Sequence, residues 1–175
     1  EQLSSGNVEL NSLQNQLDSV KKEKESLETR LSQVSGADGN NKLLTAVIKA
    51  ANLYISNDST GAAEAIADVD VSSLPVEEAK TLYNTISGAT MMNAANDLYN
   101  RGMTAYNKAD YTTAADLLVR AYKCDKTKAD AVFYAAKSYV ALNQPDNAKK
   151  YYQIIADEFK SSGYVTEAQA YVQSH

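Results

Sequence analysis

The side chains that could do chemistry are few and do not converge. Cys124 and His175 are the only thiol and the only imidazole. A nucleophilic thiol needs a base within hydrogen-bond reach. His175 is the final residue, where chains tend to fray, and Cys124 sits on a helical pattern among alanines and tyrosines, so it reads as a core thiol. A lone thiol forms no disulfide within the chain and leaves the redox compartment open. One histidine excludes the common two-histidine zinc sites. Asp58, Asp68 and Asp70 lack the spacing of a calcium loop. Glu77 and Glu78 are adjacent, so they point apart on a helix and suit its N-terminus better than paired acid–base catalysis. Gly61 and Gly88 stand alone rather than in a phosphate loop, and no serine has a histidine to activate it. The expectation is a protein that is not an enzyme, with no catalytic residue, no cofactor and no metal.

Charge narrows the partners. The formal net charge is -5, and Lys21, Lys22 and Lys24 are offset by Glu23, Glu25 and Glu28. Nucleic acid and anionic membrane surfaces both need a concentrated positive field, which this chain lacks. No run of 18 apolar residues forms a membrane span. The chain opens at Glu1, which leaves an upstream signal peptide or anchor open. Binding to another protein is the function class that remains.

Two prolines and seven glycines in 175 residues favour long helices over many short strands. The expected class is all-α. Residues 3–34 carry a heptad repeat. Leu3, Leu10, Leu17, Lys24 and Leu31 fall at one core position, and Gly6, Leu13, Val20, Leu27 and Val34 at the other. A narrow apolar stripe in a polar remainder predicts a coiled-coil seam over residues 1–35, with Leu10, Leu13, Leu17, Val20, Lys24, Leu27, Leu31 and Val34 as its oligomerisation residues. Lys24 can lie along a two-stranded seam with its ammonium in water, which favours a parallel dimer, with a trimer as the alternative. Glu23 and Glu28 would repel across a parallel pair, while Gln16 facing Lys21 is neutral. The competing reading is a single long helix folded back on the rest of the chain. Residues 36–41, within SGADGNN, read as a hinge.

From Lys42 the spacing changes to that of packed helical hairpins. A first unit covers 42–74, with Asp58 or Ser59 placed to cap its second helix. Pro75, Glu77 and Glu78 mark the start of another helix, which Gly88 either ends or weakens. Two hairpins, 95–128 and 129–162, overlay with an offset of 34 residues. Gly102 then matches Ala136 and Ala114 matches Ala148, small residues where helices must approach closely. Leu118 matches Tyr152. A last helix over 164–173 would close the apolar face.

The segment ADLYNRGMTAYNKADYTTAADLLVRAYKCD resembles a tetratricopeptide repeat through Leu98, Gly102, Tyr106, Tyr111, Ala114, Leu118 and Ala121. The next, DAVFYAAKSYVALNQPDNAKKYYQIIADEF, resembles it through Ala136, Tyr139, Ala148 and Tyr152, and departs from the pattern at Pro145 and Ile155. The resemblance implies, for 42–175, a right-handed superhelix of antiparallel hairpins that binds a protein or peptide on its concave face. On that face it would place Tyr99, Met103, Tyr106 and Asn107 from one unit, and Phe133, Lys137, Val140 and Ala141 from the next. Lys137 stands nearly alone there, so a carboxylate clamp is not expected. A coiled coil followed by such repeats is also similar to bacterial cell-envelope proteins of the cell-division coordinator type, which implies an extracytoplasmic scaffold or adaptor that self-associates. The alternative is a structural spacer whose groove is filled by the chain itself.

Overall fold

The computed structural model describes residues 2–33 and 38–175. Among the described residues every regular element is helical: α1 (Gln2–Gln33), α2 (Asp38–Ile55), α3 (Ser59–Ile66), a 3-10 turn (Val71–Ser73), α4 (Glu77–Asn107), α5 (Tyr111–Cys124), α6 (Ala129–Ala141), α7 (Pro145–Glu158) and α8 (Val165–Ser174). The chain divides into two compact units, 1–91 and 92–175, and the boundary falls inside α4. Among the described residues no helix is long and apolar enough to cross a membrane.

Of the expected hinge, 36–41, only residues 38–41 are described, and they are helical. Val34 and residues 35–37 lie outside the described residues, and Asp38–Asn41 already form the first turn of α2. The first N–H groups of a helix have no intrahelical partner, so poor helix formers cost less there than in a helix interior. Gly88 does not end its helix either: α4 runs through it unbroken. Ile86 and Thr90 on either side are buried, and the Thr90 hydroxyl donates to the Ile86 carbonyl at 2.7 Å, so the polar group is satisfied.

In the first unit, α1 packs on α2 and α2 on α3. Val20 and Leu27 of α1 are wholly buried with Leu44, Val47 and Ala51 of α2, Ile66 of α3, and Leu82 and Ile86 of α4. Asp58 caps α3 by accepting from the Gly61 amide at 2.8 Å. Asp70 holds the 3-10 turn through the Ser72 amide, and Leu74 beyond it is buried. Pro75 precedes α4, whose first turn carries Glu77 and Glu78, favourable at that end.

In the second unit, α5 packs on α6, α6 on α7 and α7 on α8. Its core is rich in alanine: Ala95, Ala114, Ala121, Ala131, Ala136, Ala148 and Ala168 are all fully buried. Small side chains let the helix backbones approach closely. α4 and α5 cross closely at Gly102, where an added Cβ would stand 2.8 Å from Leu118 Cγ.

Three of the turns are alike. Asn57, Ala109 and Asn143 each adopt a left-handed conformation, with φ of 62°, 59° and 55°. Around each, two backbone bonds recur: Asn57 and Asp58 donate to Tyr54 and Leu53, Ala109 and Asp110 to Tyr106 and Ala105, Asn143 and Gln144 to Val140 and Tyr139. This is the Schellman termination, which satisfies the last carbonyls of a helix and reverses the chain. The same turn thus closes α2, α4 and α6, and its two later copies stand 34 residues apart.

Candidate functional site

The expected binding residues lie on α4 and α6, which meet where Tyr106 packs on Tyr134. Tyr99 is half-buried. The Lys128 ammonium lies 5.6 Å from its ring centre and donates to Asn96 Oδ1 at 2.8 Å. Burial, with the nearby Asp130 carboxylate and Tyr134, raises the Tyr99 phenol above its ordinary range. Met103 is half-buried. Tyr106 is gripped edge-on by Tyr111 (5.5 Å) and Tyr134 (5.1 Å), which fixes the ring while leaving part of it open. Asn107 is exposed at the end of α4, and Val140 is 43% exposed on α6. Ala141, beside it, is also exposed.

Phe133 differs from these. It is 6% exposed, stacked on Tyr164 at 4.1 Å and met edge-on by Tyr134 and Tyr152. Its ring is a packing residue and presents no open surface. Lys137 reaches over Phe133 (5.3 Å) and pairs with Glu167 of α8 at 3.5 Å. Glu167 also accepts from the Tyr152 hydroxyl at 3.1 Å, and Tyr152 packs against Tyr171 at 4.7 Å. The closing helix therefore occupies the part of this face formed by Phe133 and Lys137. The stretch formed by Tyr99, Met103 and Tyr106 keeps its partial exposure.

Sequence reading missed Tyr134, Asp130 and Tyr164. The signal was available in the offset, because Asn96, Asp130 and Tyr164 stand 34 residues apart in turn. Burial, then a hydrogen bond to Asp130, pushes the Tyr164 phenol up to about 12. Asp130 thus influences a tyrosine of the unit before it, Tyr99, and one after it, Tyr164. Beside Tyr99 lies a polar recess of about 270 Å³, lined also by Asp125, Thr127, Lys128 and Asp130. Asp125 is engaged there, accepting from the Thr127 amide and hydroxyl at 2.9 and 2.6 Å.

The apolar stripe of α1 has two fates. Val20 and Leu27 are wholly buried within the chain, and Leu31 packs partly against the same core. Lys24 pairs along its own helix with Glu28 at 3.2 Å. Leu17 is half-buried, but Leu13 and Leu10 are 53% and 64% exposed. The surroundings of Leu3 and Gly6 are not described, and Val34 lies outside the described residues. The folding-back reading thus accounts for the second half of the stripe, from Val20 onward, while Leu13 and Leu17 stand at an open recess with Tyr54, Ile55 and Ala89. Cys124 is buried, 7% exposed. Among the described residues, no three His, Cys, Asp or Glu side chains gather as a metal set.

No protein-family model, no curated protein and no solved structure matches this chain.

Proposed function

We propose that this protein is a non-enzymatic interaction scaffold. Its second unit would bind a protein or peptide through tetratricopeptide-type hairpins, and its first helix would bring copies of the chain together. One observation carries the binding role: Tyr99, Met103 and Tyr106 form a partly open apolar row whose central ring, Tyr106, is held in place by Tyr111 and Tyr134. Aromatic rings fixed before binding lose little entropy on contact and suit an extended or helical segment. The tetratricopeptide reading draws support from the recurring turn, the close crossing at Gly102 and the 34-residue spacing of Asn96, Asp130 and Tyr164. Placement in a cell envelope rests on resemblance of architecture alone.

The test is capture of partners by the full chain, with Tyr99→Ser and Tyr106→Ser variants compared at equal helicity. Loss of a partner without loss of helicity supports the row as the binding face. Unchanged capture removes that assignment. Phe133 is unsuitable as a probe because its substitution would disturb packing.

A structural spacer is the second reading. The seating of Tyr164 on Phe133 and of Glu167 on Lys137 favours it, since the chain itself fills that stretch of the face. Under this reading both serine variants leave every association intact.

A further inference from the structure

We infer that the recess beside Tyr99 seats a basic side chain, arginine or lysine, of the segment bound along the Tyr99–Met103–Tyr106 row, and that Asp130 selects it. The inference rests on the proposed binding role of that row and gives its ligand a charge and a position.

Helical spacing sets the layout. Tyr99, Met103 and Tyr106 stand four and three residues apart, so they share one face of α4. They span about 10 Å along it at 1.5 Å per residue. The recess opens at the Tyr99 end of this row. Its volume, about 270 Å³, is below the ~300–1,000 Å³ of pockets that hold whole small molecules. It suits the head of one long side chain reaching in from a segment on the row. That residue would lie about three positions from the one on Tyr106 in an extended segment, and about seven in a helix.

Charge decides what enters. Asp125, Asp130 and Lys128 line the recess, two carboxylates against one ammonium. Lys128 is committed: it donates to Asn96 Oδ1 at 2.8 Å and lies 5.6 Å from the Tyr99 ring centre. Asp125 is committed too. Against partial burial, its bonds from Thr127 and then the Lys128 charge hold its carboxyl below the ordinary range. Asp130 carries the charge left over. It is exposed in the first turn of α6. Among the described residues the Tyr164 hydroxyl donates to it and no cation pairs with it. An ionised carboxylate can accept several more bonds.

The start of a helix accounts for a carboxylate at this place. It does not account for the aromatic wall. Asp130 lies close enough to Tyr99 and Tyr164 for its charge to add to burial in raising both phenols, and Tyr134 stands within reach of both rings. A carboxylate bordered by aromatic rings matches a guanidinium or ammonium, which pairs with the charge and packs on a ring at once. Lys128 shows that the Tyr99 ring already accepts a cation. An acidic side chain would face both Asp125 and Asp130, so the recess discriminates against it.

The experiment pans a phage-displayed library of random peptides against the full chain and against Asp130→Asn and Tyr106→Ser variants of unchanged helicity. Met103→Ser, in the middle of the row, takes the place of Tyr106→Ser if the latter loses helicity. Asparagine keeps an acceptor for the Tyr164 hydroxyl and removes only the charge. Peptides that bind the wild type and are lost on the row variant should be enriched in Arg or Lys at one position, with Asp and Glu depleted there. Asp130→Asn should abolish that preference and keep the apolar one. Replacing the basic residue of a selected peptide by Gln should weaken binding roughly fivefold on the wild type and less than about twofold on Asp130→Asn. Row-dependent peptides with no basic preference, or with one that survives Asp130→Asn, overturn this inference and leave the row standing as the binding face. A library that yields no row-dependent peptide overturns both.

Discussion

The rings of Phe133 and Tyr164 lie stacked, 4.1 Å apart and 15° from parallel. This contact seats the approach to α8 on α6 and turns an expected binding residue into a core residue. Tyr164→Ala should strip the cover from Phe133 and destabilise the second unit by about 2–3 kcal/mol, below the ~3–5 kcal/mol for a fully buried aromatic ring because Tyr164 is half-buried. Phe133→Ser should cost at least as much. Urea unfolding followed by circular dichroism measures both. Two variants with wild-type midpoints would return Phe133 to the binding face.

Ala109 holds a left-handed backbone, φ 59°, at the turn between α4 and α5. A Cβ in that conformation costs about 1 kcal/mol, which glycine escapes. Ala109→Gly should therefore raise the melting temperature by several degrees, on the order of 4 °C for a unit of this size. Asn143 fills the same role in the next turn, where asparagine tolerates the left-handed region. Asn143→Val should lower the melting temperature.

Gly102 sits at a close approach of α4 to α5. Even a methyl group would come within 2.8 Å of Leu118 Cγ, and Leu118 is fully buried. Gly102→Val should destabilise by about 3 kcal/mol through overpacking, against a helix-propensity gain below about 1 kcal/mol. Gly88, where an added Cβ would meet nothing within 4 Å, is the control: Gly88→Ala should stabilise α4.

The tyrosines set the alkaline limit of the fold. Burial and the Glu158 carboxylate, which accepts from its hydroxyl at 2.9 Å, raise the Tyr122 phenol to about 12. Tyr164 is raised to about 12 as well. An unfolded tyrosine titrates near 10. Above pH 10 the unfolded chain releases protons that the folded chain keeps, so stability is full below pH 10 and falls between pH 10 and about 12. Tyr122→Phe should lose some stability at neutral pH, through its missing bond to Glu158, and should show a shallower fall across that window. Denaturant unfolding at pH 9, 10 and 11 measures the slope. A slope identical to wild type would refute the assignment to Tyr122.

Much of the fold is legible in the sequence. The positions of Pro75 and Asp58 mark helix starts. The smallness of Gly102, Ala114, Ala136 and Ala148 marks close crossings. These are local properties, or repeat at a fixed spacing, and need no knowledge of distant partners. The site was legible only as a list of positions. Phe133 and Tyr99 occupy matching places in the two units, yet one is buried and the other partly open. The difference is Tyr164, which lies over Phe133, whereas Lys128 and Asp130 stand beside Tyr99.

The first helix shows the division most clearly. Read from the sequence alone, residues 3–34 carry one apolar stripe at helical spacing, because heptad spacing is a one-dimensional property. What covers that stripe was decided by tertiary structure. Val20 and Leu27 are buried because α2 returns along them, while Leu10 and Leu13 stay open because α2 ends at Ile55. A heptad specifies a seam without specifying its partner: the apolar contact it requires is non-directional, and a helix of the same chain satisfies it as well as a helix of another.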